Sequence, residues 1–141
     1  MKSAGPVPGG VPDVPGADPV AAFEASPFAR LLDMHILEAH DGFARVEMDC
    51  TGKLNPHGAA HGGAVFSLAD HAFGIASNFG KAQYTAVSVH IQYLAPAQGL
   101  LVAVAERLAA NGTYETFCVT VYDKGGRTVA LFDGVAFRIS L

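Results

Sequence analysis

Charge is scarce in this sequence, at 16% of its 141 residues, and it contains no basic run: nine Lys+Arg stand against thirteen Asp+Glu, a formal net charge of -4. Affinity gained by neutralising phosphates needs clustered cations, so nucleic acid is excluded as a principal partner. Cysteine is nearly absent. Cys50 and Cys118 lie far apart without CxxC spacing, which leaves no disulfide framework and reads as two buried thiols of a reducing compartment. Long apolar runs are missing too. The start, MKSAGPVPGGVPDVPG, has no signal-peptide core, and the uncharged stretch from Ala82 to Ala105 is broken by Gln83, Gln92, Pro96, Gln98 and Gly99. The expectation is a soluble, cytoplasmic protein with no membrane partner. GxSxG, P-loop and GxGxxG motifs do not occur, which sets aside a serine elbow and the usual nucleotide fingerprints.

What is present is apolar. Half the residues are hydrophobic, and the length is that of one domain with one core and enough apolar surface to cover a subunit interface as well. Residues 1–19 hold five prolines and four glycines with almost nothing to pack, so they read as a flexible leader before a single domain over 20–141. Asp18-Pro19 and Ser26-Pro27 each look like an N-cap followed by a first-turn proline, which predicts two short helices.

From Met34 the pattern alternates. A strand through Ile36 and Glu38, an Asp41-Gly42 turn and a strand from Phe43 to Cys50 form a hairpin. Residues 51–60 read as loop. Gly62 to Gly80 has no proline and is apolar on nearly every side, so it predicts a long helix that must be surrounded. Four strands follow, Gln83–Ala95, Leu100–Ala110, Thr113–Asp123 and Arg127–Ser140, separated by Pro96, Asn111-Gly112 and Lys124-Gly125-Gly126. The expected order is hairpin, helix, antiparallel meander. The simplest α+β solution is a curved antiparallel sheet of about five to six strands wrapped around one long central helix.

Asp70 is the most informative residue. It sits mid-helix among apolar neighbours, where removing a carboxylate from water costs several kcal/mol, of order 3 or more, unless it is paired or put to use. Interaction with the helix dipole has faded more than two turns in. Pairing with His71 or a lysine is one explanation, and a tuned general base is the other. His61-Gly62-Gly63 opens the same helix and leaves backbone N–H groups unshielded where the dipole is positive, a place for an oxyanion. On the dipeptide alone, an ordinary glycine turn explains it as well. Distance decides how the two features cooperate: eight residues of helix rise about 12 Å, whereas base and oxyanion donor must both reach one carbonyl or its water within roughly 3 Å. If both take part, Gly62 of one subunit faces Asp70 of another, which predicts a homodimer with two equivalent sites. His57 and His61 are four apart, but Pro56, Gly58 and Gly62 argue against a helical metal pair, so no metal is expected. Ser88 and His90 share one side of their strand.

The segment from Leu54 to Phe73, LNPHGAAHGGAVFSLADHAF, closely resembles the signature of PaaI-like hotdog-fold acyl-CoA thioesterases, an N-x-H-G-x-x-H-G-G loop running into an F-S-L-A-D helix. The likeness continues over Val87 to Leu94 and, in element order, over residues 20–140. It implies a hotdog fold and thioester hydrolysis, with Asp70 as the essential acid acting as general base or nucleophile. It also implies Gly62 as the N–H that polarises the carbonyl, Asn55 orienting the acyl group or water, His61 beside the glycine, and Ser88 as a strand hydroxyl near the acid. Acid and glycine come from opposite subunits in that family, in agreement with the distance argument. His71 after the acid departs from the family pattern.

The expected acyl pocket lies between helices beside Gly63, Phe66, Phe73 and Tyr93, suited to aryl or medium-chain groups, with phenylacetyl- or hydroxyphenylacetyl-CoA favoured by the resemblance to phenylacetate-degradation proteins. Coenzyme A is then part of the substrate and no cofactor is needed. The dimer is expected to double to a homotetramer. Lys81, Lys124, Arg127 and Arg138 are the cations available for coenzyme A phosphates, and none is assigned. A hotdog hydratase or dehydratase would need a D-x4-H spacing that does not occur, and a non-catalytic acyl-CoA sensor usually carries an output domain.

Overall fold

Proline sets the first boundaries. The computed structural model describes residues 19–139; the leader over 1–18, with the cap expected at Asp18, lies outside the described residues. Pro19, grouped above with the leader, opens helix α1 (Pro19–Glu24). Pro27 opens α2 (Pro27–Leu31) behind Ser26, whose side chain makes no capping hydrogen bond. The hairpin follows as β1 (Met34–His40) and β2 (Phe43–Asp49), then α3 (Gly62–Asn78), β3 (Tyr84–Tyr93), β4 (Leu100–Ala110), β5 (Tyr114–Tyr122) and β6 (Thr128–Arg138).

The strands form one six-stranded antiparallel sheet in the order β1-β2-β4-β5-β6-β3. This corrects the expected meander. Strands β4, β5 and β6 are joined by tight turns as their Gly-containing loops dictate, but β3 does not pair with β4. It lies at the far edge against β6, with Ile91 opposite Phe132 and Tyr93 opposite Ala130. Between β3 and β4, residues 94–99 hold no two-residue hairpin signal; extended, they reach about 20 Å, more than the ~14 Å across three strand spacings. Backbone hydrogen bonds pin this crossing at Leu94 N–H to Val129 (2.9 Å), Ala60 N–H to Ala97 (2.7 Å) and Cys50 N–H to Gly99 (2.9 Å).

Helix α3 packs against all six strands. Its inward residues Leu68, Ala69, Ala72, Phe73 and Ala76 are buried against Val46, Leu101, Phe117, Val119 and Phe132. The opposite face is not surrounded within one chain: Gly63 is exposed, and Ser67, Asp70, His71 and Gly74 are only partly covered. Cys50 is fully buried as expected; Cys118 is half-buried, because its position in β5 alternates with the core residues Phe117 and Val119 and turns it to the outer sheet face.

At the far end of α3 the hairpin turn is clamped to the sheet. Arg107 donates to Asp41 at 2.6 Å and to the buried Glu115 at 2.8 Å, and its backbone N–H reaches the Gly42 carbonyl at 2.8 Å. A half-buried guanidinium between two carboxylates fixes geometry better than it adds stability.

Candidate active site

The loop before α3 shapes its start. Asn55 Oδ1 accepts from the N–H groups of His57 (2.9 Å) and Ala59 (3.1 Å), closing a tight turn. The Leu54–Ala60 bridge closes the loop on itself, and the bonds from Gln98 Nε2 to Gly58 O (2.8 Å) and from the Ala60 N–H to Ala97 O (2.7 Å) fasten it to the crossing segment. His61 becomes the helix N-cap with extended backbone (φ -60, ψ 135), and its Nδ1 accepts from the Gly63 N–H at 2.9 Å. The His61 carbonyl in turn accepts from Ala64 (2.9 Å) and Val65 (3.1 Å). Among the described residues no acceptor takes the Gly62 N–H. It is the orphan donor of the first helical turn, at the positive end of a 17-residue dipole.

Gly62 borders a cleft of about 310 Å³ whose walls include Asn55, Val65, Tyr93, Leu94, Pro96 and Val129. The structure thus brings Asn55, Gly62 and Tyr93 together, whereas His61 and Gly63 flank Gly62 without lining the cleft. Phe66 and Phe73 do not line this single-chain cleft. Phe73 is 2% exposed and packs on Phe117 and Phe132 in the core; Phe66 leans on Phe132 at 5.6 Å. The apolar walls of the cleft include Val65, Leu94 and Val129, none of which the sequence singled out as a site residue. Ser88 stands opposite Val135 next to a bulge in β3, exposed and on the side of the strand that carries His90 opposite Asp133. Within one chain it does not join the cleft.

Asp70 is on the uncovered face of α3, two turns past Gly62, and makes no hydrogen bond or ion pair among the described residues. Neither His71 nor a lysine pairs with it. Burial alone pushes its carboxyl above the usual carboxylate value of 3.8, the direction that makes a carboxylate a better base. Next to it the His71 ring is kept below its ordinary value by burial, and its Nε2 is enclosed with no partner. Among the described residues no cluster of His, Cys, Asp or Glu has the arrangement of a metal site, and no helix is long and apolar enough to cross a membrane.

Gly62, with its free helix-start N–H, thus borders the cleft, and an unpaired acid stands two turns along the same helix. Residues 57–130 match the family model described as Thioesterase superfamily. The chain belongs to the thioesterase superfamily. Its relatives include a putative esterase of Deinococcus radiodurans, 40% identical over 119 residues covering 82% of this chain and 81% of that protein. They also include the acyl-coenzyme A thioesterase PaaI of Escherichia coli, 34% identical over 122 residues covering 84% and 87%. Among solved structures, the E. coli PaaI protein from the phenylacetic acid degradation operon superposes with a TM-score of 0.81 at 32% identity, covering 85% of this chain and 89% of that one. The thioesterase-superfamily assignment identifies the sheet around α3 as the hotdog fold.

Proposed function

We propose that the chain is an acyl-CoA thioesterase that works as a homodimer, with Asp70 of one subunit and Gly62 of the other at each site. The observation that carries the reading is the unpaired N–H of Gly62, a residue that lines the cleft. Asp70 would take a proton from water as the oxygen attacks the thioester carbon, and the Gly62 N–H would hold the oxygen that becomes negative. Collapse of the tetrahedral species breaks the C–S bond and releases coenzyme A as its thiolate, a leaving group that needs no acid.

Two features support the dimer. Gly62 and Asp70 are about 12 Å apart along one helix. Strand β3 is a sheet edge that leaves Val87 54%, Val89 38% and Tyr93 54% exposed, and an exposed apolar edge is a template for pairing with a second copy. Antiparallel pairing of two β3 strands about a twofold axis would lay the α3 helices side by side and bring each acid to the other's helix start. Two dimers would then have the partly covered outer-face residues Val102, Val104 and Leu131 available for assembly into a tetramer.

Asn55 spends Oδ1 on its own loop, so its Nδ2 is what it can offer to the acyl carbonyl or to water, and Ser88 would act only from an assembled interface. The apolar walls and the Tyr93 ring suit aryl or medium-chain acyl groups, and the phenylacetic acid degradation operon of the E. coli relative favours phenylacetyl-CoA, with hydroxyphenylacetyl-CoA as its close analogue. Thiol release across a panel of acyl-CoA substrates tests the reading. Wild type should turn over aryl and medium-chain members, and Asp70→Asn, which keeps shape and removes basicity, should lower kcat by at least about a hundredfold. A folded Asp70→Asn protein with wild-type turnover would remove Asp70 from the mechanism.

A further inference from the structure

Two consecutive glycines at a helix start form the most pliable backbone available, since neither carries a Cβ to restrict rotation. An oxyanion donor there would lose its aim if the next peptide could swing. The structure shows what stops it. The peptide unit joining Gly62 to Gly63 is held at both ends: the Tyr93 hydroxyl donates to the Gly62 carbonyl oxygen at 3.0 Å, and His61 Nδ1 accepts from the Gly63 N–H at 2.9 Å. The preceding peptide unit is held by its own carbonyl, that of His61, through Ala64 and Val65. Torsion on both sides of the Gly62 Cα is therefore fixed, and the one group left without a partner is the Gly62 N–H. The Tyr93 ring lies over the same Cα: a methyl group there would stand 3.4 Å from Cζ and 3.5 Å from the hydroxyl oxygen.

We infer that Tyr93, expected above only to wall the acyl pocket, is a positioning residue: with His61 it clamps the Gly62–Gly63 peptide and so keeps the neighbouring oxyanion donor aimed. The inference rests on the thioesterase reading for its kinetic consequence and on the hydrogen bonds alone for its structural one. A wall residue and a clamp respond differently to loss of one hydroxyl. Removing a wall contact raises KM, whereas freeing the donor weakens an interaction made in the transition state and lowers kcat.

The test is a double-mutant cycle of Tyr93→Phe and His61→Ala, read by thiol release and by amide exchange at Gly63. Tyr93→Phe keeps the ring. It should leave KM within about twofold while kcat falls about five- to tenfold, the worth of one hydrogen bond. Gly63 exchange should quicken by a similar factor. Because both side chains hold one peptide, adding the second lesion should cost less than it does alone. Unchanged kcat with a raised KM, or strictly additive losses, overturns the clamp. If wild type releases no thiol from any acyl-CoA, the proposed function fails, and Gly63 exchange still decides: unaltered exchange in Tyr93→Phe overturns the clamp, and faster exchange upholds it.

Discussion

Gly134 lies so close under the Phe73 ring that a methyl group on its Cα would stand 2.8 Å from Cζ and 2.9 Å from Cε2. This approach lets β6 pass directly beneath α3 and locks Phe73 into the core, out of reach of any acyl chain in the cleft. Gly134→Ala should therefore destabilise by about 1–3 kcal/mol through overpacking, measured by chemical denaturation. Phe73→Leu in the same chain should recover part of the loss. A Gly134→Ala protein as stable as wild type would show that the sheet and helix yield freely here.

Gly62→Pro deletes the N–H and adds three ring carbons, of which Cβ would stand at an ordinary contact distance of 3.4 Å from Tyr93 Cζ. Gly62 is the first helical residue, where proline is welcome, and His61 already has the extended backbone (φ -60, ψ 135) that a following proline demands. The variant should fold and lose about 10²–10³-fold in kcat, the usual worth of an oxyanion donor. Mixed after dissociation with Asp70→Asn chains, it should regain activity, because a heterodimer has one site with both lesions and one with neither. Random reassortment yields about a quarter of wild-type turnover. No recovery on mixing would place acid and donor in the same subunit's site.

Asp70 and His71 are neighbours with opposite responses to acid. Burial raises the native Asp70 value above 3.8, so the native state keeps a proton that the unfolded chain has released. Its contribution to stability is present below the unfolded value and lost as pH rises through the native one. Burial lowers His71 below 6.5, so its contribution is present above that value and lost as pH falls through the native one. Asp70→Asn should thus raise Tm near pH ~7, with the gain vanishing below the ordinary carboxylate range of ~3.9. His71→Gln should gain on wild type as pH falls below ~6.5. Melting differences independent of pH for either variant would contradict these signs. The acid limb of kcat should lie above the ordinary carboxylate value, since only ionised Asp70 accepts a proton.

Much of the fold was legible because its signals are local. Strand β4 was expected over Leu100–Ala110 and occupies those residues; α3 ends at Asn78, two residues short of the expected Gly80. What local pattern cannot carry is partnership. Nothing in the alternation of Tyr84–Tyr93 says that β3 crosses to β6, and only the lack of a hairpin turn in residues 94–99 hints at it. The site divides the same way. Asp70 and the glycines stand out because they break rules of helix composition, whereas the bond from Tyr93 to Gly62 spans 31 positions and depends on that crossing. Phe73 sits in the core because Gly134 opposite leaves room for its ring, a close approach that ring positions along α3 do not reveal.

Among the described residues strand β3 has one neighbour, β6, which is the last of the described strands in chain order. While the protein is being translated, the hairpin, α3 and β3 all leave the ribosome before Thr128–Arg138 exist to seat β3 in the sheet. Until then Tyr93 has no route to the first turn of α3. The cleft therefore takes shape only once β6 is available to seat β3 in the sheet.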